Sequence, residues 1–169
     1  MTRLAPLLLA GHLTAATSVL DCIGDAAAER RAGRWQGDGR TLALDGAGKI
    51  AAIQFRSTSL KGWRARGAKL VVHFASGRCE QTLLAGYLAK FDEKAESPRD
   101  VPAPETEAAC SEAGAGWWQI DLPAAIAQRL VDEPNGAILL TGAGKSGPVI
   151  HARETVSFAP RLLVEGLAP

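Results

Sequence analysis

The chain has 169 residues, with 19 Lys and Arg against 18 Asp and Glu and a net charge of +1. That length suits one domain, long enough to bury roughly two-thirds of its unfolded surface in one core. The balanced charge argues against general nucleic-acid binding by the whole chain. The charge is divided, however: residues 1–78 carry twelve basic and five acidic side chains, and residues 79–169 carry seven and thirteen. Either the first part presents a basic face to an anionic polymer, or the two parts attract each other within one fold.

Residues 1–16 combine a basic start at Arg3, an apolar run through Leu7, Leu8 and Leu9, and small residues at the end. They read as a short signal peptide, or as an edge strand or arm in which Leu7, Leu9 and Leu13 dock on a neighbouring subunit. Residues 17–169 then form one domain. No run reaches the ~18 apolar residues of a membrane-spanning helix.

Beyond this segment, alternation of apolar and polar residues dominates helical periodicity. Strands are expected around Val19 and Asp21, then over Thr41–Asp45, Ile50–Phe55, Leu70–Phe74, Thr82–Leu88, Trp117–Leu122, Ala137–Leu140, Val149–Ala152 and Arg161–Val164. Gly, Pro, Asn and Ser clusters separate them at spacings typical of β-sandwiches. Ile53, Phe55, Leu70, Val72, Phe74, Trp118, Ile120, Leu139 and Leu163 are the expected interior, with the opposite strand faces mostly wet. Pro123 suits a first helical turn, and the helix it starts stops by Glu133-Pro134, with Ile126 and Leu130 lying over one end of the sandwich. Residues Glu93–Glu107, charged and proline-bearing, read as a long loop.

Three cysteines, Cys22, Cys79 and Cys110, are not spaced for a metal or a redox motif, so no metal or cofactor is expected. Cys79 and Cys110 each sit near a strand end, which leaves two alternatives, a disulfide between them or free buried thiols. Gly144-Lys145-Ser146 ends like a phosphate-binding loop, but Leu139 stands where that loop needs its first glycine, and a strand follows where it needs a helix. The segment reads as a hairpin turn. His73 and His151 fall on strands, and no Gly-x-Ser-x-Gly elbow is present to supply a nucleophile.

The strongest candidate for ligand binding is Arg56–Lys69, with Arg56, Lys61, Arg64, Arg66 and Lys69, no acid, and Trp63. An aromatic face stacks on the C–H face of a sugar ring, and arginine grips a carboxylate through two parallel N–H bonds. The alternative is that Trp63 folds back over the core edge and the charges only solubilise. Trp117 and Trp118 point to opposite faces of one strand. Trp118 shares the apolar phase of Ile120 and Leu122, so Trp117 is the more exposed, lining a sheet face with Trp35 or Tyr87 or packing beneath a loop.

The sequence resembles the DNRLRE domains of bacterial and archaeal surface proteins, which are related to carbohydrate-binding modules found beside alginate-degrading enzymes. The resemblance spans Thr17 to Gly166 and rests on Ala51-Ala52-Ile53-Gln54-Phe55, Ser59-Leu60, Ala68-Lys69-Leu70-Val71-Val72, Gly116-Trp117-Trp118-Gln119-Ile120-Asp121-Leu122, Asn135–Leu140, His151-Ala152-Arg153-Glu154 and Pro160–Val164. The chain departs from the family at Arg56, at Phe91-Asp92-Glu93 with Pro98, and at Asp121-Leu122-Pro123. The Arg153-Glu154 pair resembles the family's arginine-glutamate signature and reads as structural, with Arg153 hydrogen-bonding a carboxylate such as Asp121. The resemblance implies an antiparallel jelly-roll β-sandwich with one short capping helix, at the cell surface or outside the cell. The expected function is non-catalytic binding of a polysaccharide, uronate-rich and anionic, by Lys61, Trp63, Arg64, Arg66, Trp117 and Trp35. The alternative is a structural protein of a surface layer, filament or virus particle that assembles with further copies of itself.

Overall fold

The alternating strands wrap into a closed barrel. A computed structural model describes residues 13–29, 35–36, 39–44, 48–79, 82–92, 94, 101–104, 106–144 and 147–169. In chain order the strands are β1 (Thr14–Glu29), β2 (Thr41–Ala43), β3 (Lys49–Phe55), β4 (Arg64–Ser76), β5 (Thr82–Leu88), β6 (Thr106–Gly114) and β7 (Trp117–Leu122). Helix α1 (Ala124–Asp132) follows, then β8 (Ala137–Gly142), β9 (Val149–His151) and β10 (Arg161–Ala168). Eight strands close an antiparallel ring in the order β1-β3-β8-β5-β6-β7-β4-β10. Strand β9 extends the far end of β4, and β2 pairs with β9.

This closure overturns the open jelly-roll sandwich expected from the strand pattern. Pairing of β10 with β4 closes the ring and leaves no edge on it, and two strands change partner along their length. The first part of β1, Thr14 to Asp21, pairs with β10, and its second part, Cys22 to Glu29, pairs with β3. A register shift between Cys22 and Gly24 lets the strand turn the corner, as bulges do at barrel rims. On the other side, Thr106 to Ala109 of β6 pair with β5, while Ala109 to Gly114 pair with β7. The strand pattern does not reveal this, because the extra residue at the shift reverses the alternation within β1, from Cys22 opposite Phe55 to Asp25 opposite Ile53.

Phe55, Ile53, Leu70, Val72, Ile120 and Leu162 fill the barrel and are fully buried. Leu163, expected inside, lies half-buried on the outer side, because Leu162 and Val164 take the inward phase of β10. Leu139 is buried, but in a second cluster with Ala26, Ala28, Trp35, Ile50, Ala52 and Ala137. That cluster covers the outer face of β1, β3 and β8, where Trp35 meets Phe91 edge-to-face at 5.4 Å. Strands β3 and β8 are therefore buried on both faces, and the expectation of a wet outer face fails for them.

Pro123 stands just before α1 as its cap residue, and Ile126, Ala127 and Leu130 turn inward to close one end. Gln128 locks the helix to the start of β4: its Oε1 accepts the Ala65 N–H at 2.9 Å, and its Nε2 donates to Asp132 Oδ1 at 3.0 Å. Strand β6 runs through the end of the expected 93–107 loop. Only Ala108 of that strand is fully buried, so its sequence carries no apolar alternation. Residues 1–12 of the expected leader or docking arm lie outside the described residues, whereas Thr14 to Ala16 pair with β10 as part of β1.

Candidate functional site

The wall formed by the first part of β1 with β10, β4, β7 and β6 differs from the covered wall. The register places outward side chains in rows across it. One row runs Val19, Leu163, Lys69, Asp121 and Ala109, and the next runs Asp21, Arg161, Val71, Gln119 and Ser111. Val19 is 61 % exposed, and Asp21, Ser111, Asp121 and Arg161 are exposed as well. Gln119 Nε2 donates to Asp121 Oδ1 at 2.9 Å, and Lys69 Nζ lies 3.6 Å from Glu165 Oε1. Such fixed, solvent-facing donors and acceptors suit a ligand rich in hydroxyls.

One end of the wall is aromatic. His73 and Trp117 are cross-strand partners, their rings edge-to-face at 5.2 Å. Phe158, in the 3-10 turn Val156–Phe158, lies against the His73 ring at 4.1 Å and the His151 ring at 5.0 Å. His73 and His151 are themselves 5.1 Å apart. All four side chains are half-buried. On the inner side Trp118 stacks on Phe74 at 4.9 Å and 8° and packs against the core, so the two adjacent tryptophans do face opposite ways.

The β6–β7 turn makes this end. Gly114, Ala115 and Gly116 all adopt positive φ, and a Cβ on Gly116 would stand 2.7 Å from His73 Nε2. Glycine is thus required twice over at that position, for conformation and for room. The Nδ1 atoms of His73 and His151 are shielded from solvent and have no hydrogen-bond partner. Burial, then the neighbouring His73, pushes the His151 imidazole below its ordinary range. Two positive charges at the ring separation would repel by about 1–3 kcal/mol, depending on how well water screens them.

The basic segment lies at the other end of β4. Lys61, Arg64 and Arg66 are exposed, and Arg66 falls at a register shift between the pairs Glu165–Gly67 and Gly166–Ala65. Trp63 is half-buried against the barrel core, with its carbonyl accepting from Gln128 Nε2 at 3.4 Å. It therefore occupies the folded-back position. Trp35 is buried at 6 % exposure under the covered wall, so it does not line a face with Trp117. Tyr87 is also buried, with its hydroxyl donating to the Glu133 carbonyl.

Arg153 does not reach Asp121. Its Nη1 donates to the Ile23 carbonyl at 2.6 Å, its Nε to Glu154 Oε1 at 3.0 Å, and its main-chain N–H to Asp25 Oδ2 at 2.7 Å. The Arg153-Glu154 pair thus secures the corner of β1, and Asp121 faces outward with Gln119 instead. Cys79 and Cys110 are joined in a disulfide with Cα atoms 6.2 Å apart, and Cys22 is free. Lys145 and Ser146 lie outside the described residues. The chain on either side of them connects β8 to β9, which are not paired with each other, so the expected hairpin turn is a crossover.

Among the described residues no group of three or more His, Cys, Asp and Glu is placed to hold a metal ion, and no helix is long and apolar enough to cross a membrane. A cleft of about 160 Å³ beside Pro104 and Thr141 is smaller than the roughly 300 Å³ at which ligand pockets begin. Alternation had already put His73 and Trp117 on strands, but not the approach of β9 and Phe158, which depends on pairing between β4 and β9. No protein-family model matches the chain, and a search of curated proteins finds no significant match.

Proposed function

We propose that the chain is a non-catalytic, extracellular glycan-binding barrel whose ligand is an anionic polysaccharide laid along β4 on the open wall. The observation that carries this reading is the contrast between walls. One outer face is sealed by Trp35 and Phe91. The other presents half-buried Trp117 and Phe158 level with Gln119, Asp121, Arg161 and Ser111. A sugar ring has an apolar face and a hydroxyl-bearing rim, and this combination of aromatic and polar groups meets both.

The length and charge of the wall favour a polymer. Arg66 and His73 are separated by about 23 Å along an extended strand, so a ligand touching both ends has several sugar units. Lys61, Arg64 and Arg66 at one end attract a carboxylate-bearing chain, and that attraction is screened by salt. The Cys79–Cys110 disulfide supports an oxidising, extracellular setting.

The test is titration with alginate, pectate and a neutral glucan at low and high salt, for wild type and for Arg64→Ala with Arg66→Ala. The reading expects tighter binding to the uronate polymers and a flatter salt dependence in the double variant. Preference for the neutral glucan, or an unchanged salt slope, removes the anionic ligand. No binding to any glycan, together with self-association, moves the assignment to a structural assembly protein, in which exposed Val19 and Val156 would be buried between copies.

A further inference from the structure

We propose that His73 and His151 make the open wall acid-sensitive: proton uptake by this pair parts the two imidazoles, frees Trp117 from its edge contact and weakens the hold on ligand at that end. The ligand half of this inference rests on the glycan reading above, whereas the conformational half does not.

The geometry disfavours a charge on both rings at once. His73 from β4 and His151 from β9 lie 5.1 Å apart, and both rest on Phe158. Trp117 from β7 presents its ring at 87° to His73. Neither Nδ1 atom has a hydrogen-bond partner to hold an added proton. From β2, the residue opposite His151 is the uncharged Thr41.

Among the charged residues on the neighbouring elements, Arg40 stands just before β2, and Arg153 and Glu154 bond each other beside the β1 corner. On the wall itself Asp121 accepts from Gln119, and Arg161 lies beyond Val71, on the next row from His73. No carboxylate bonds either imidazole among the described residues, so an imidazolium there gains no counter-ion. The faces of Phe158 and Trp117 can accommodate one cation, but a second at this separation is opposed by the first. The downward push of burial and of His73 on the His151 imidazole acts in the same direction.

The experiment has two arms. The imidazole Cε1–H resonances of His73 and His151 and the Trp117 indole N–H are followed by NMR from about pH 8 to about pH 4.5, a range that brackets histidine titration. The proposal expects His151 to titrate below the ordinary histidine range, with the Trp117 indole moving over the same interval. Alginate oligosaccharide binding is then measured at about pH 7.5 and about pH 5, both above the usual carboxylate range, so that the ligand stays charged. Wild type should lose about tenfold in affinity, the equivalent of one pKa unit of coupling, and His151→Phe, which keeps a ring on Phe158, should lose much less.

Ordinary, independent histidine midpoints with an unmoved Trp117 indole overturn the proposal. So does an equal acid loss in wild type and His151→Phe. If wild type binds no alginate at either pH, the glycan reading falls and the NMR arm alone decides the switch.

Discussion

Asp25 and Arg153, 128 positions apart in the chain, meet at the bend of β1, where the Arg153 main-chain N–H donates to Asp25 Oδ2 at 2.7 Å. Asp25 is fully buried, and the Cys22 thiol approaches the same carboxylate oxygen at 3.9 Å. The buried carboxylate accepts a main-chain N–H that no strand ladder pairs, which ties the segment after β9 to the bend. The bend is what carries β1 from one wall to the other.

Asp25→Ala is therefore expected to destabilise the protein by about 1–3 kcal/mol, the cost of leaving buried donors without an acceptor. Chemical denaturation of the purified variant measures it. A change within about 0.5 kcal/mol, the range of ordinary surface substitutions, would show that the corner is held by other contacts.

The Cys79–Cys110 bond closes a loop over a sequence separation of 31. Reduction is expected to cost about 3–4 kcal/mol through the added freedom of the unfolded chain. Denaturation with and without dithiothreitol reads this directly, and an unchanged midpoint would contradict it.

Cys22 should be unreactive while the protein is folded. Burial, followed by the nearby Asp25 charge, pushes its thiol far above the ordinary range, and the thiolate is the nucleophile. Alkylation at mildly alkaline pH should track unfolding, modifying one thiol per chain as denaturant rises. Fast labelling of native protein would place Cys22 in an open environment.

Stability should also report on His151. Its folded-state pKa lies below the unfolded value of 6.5, so the unfolded chain binds more protons between the two. The stabilisation is complete above 6.5 and is lost as pH falls from there towards the folded-state value. Denaturation midpoints should be level from about pH 7 to 8 and decline below about pH 6.5, less steeply in His151→Phe. Identical acid profiles would contradict the sign or the assignment.

Strands were legible where large apolar residues alternate with polar ones, and β6, with Ala108 its one fully buried residue, was not. In β4 the alternation of Leu70, Val72 and Phe74 with Val71 and His73 marked the inward side correctly. It misled at Leu139, since β8 is buried on both faces and an unbroken apolar run does not say which cluster each side chain joins. It also misled at Leu163, where three apolar residues in succession left the phase of β10 undetermined. Barrel closure was hidden because it depends on where β1 and β6 change partner. The half of the site near Trp117 could be read from its phase with Gln119 and Asp121. Phe158 and the histidine pair could not, since their meeting is set by long-range pairing rather than by any local spacing. At Trp63 the sequence left two alternatives, a ligand platform or a ring folded back over the core edge, and the ring is half-buried against the core.

Substitutions of Trp117 and Trp35 test whether ligand lies on the open wall. Trp117→Ala removes a half-buried ring from that wall, and Trp35→Ala removes a buried ring from the covered one. Affinity for the preferred uronate polymer and denaturation midpoints are measured on both variants and on wild type. Trp117→Ala should weaken binding by about five- to tenfold, corresponding to about 1–1.4 kcal/mol of lost stacking, with little change in midpoint. Trp35→Ala should instead cost about 3–5 kcal/mol of stability and leave the affinity of the protein that remains folded unchanged. Full-affinity binding by Trp117→Ala, or a binding loss confined to Trp35→Ala, would contradict the assignment of the site to this wall.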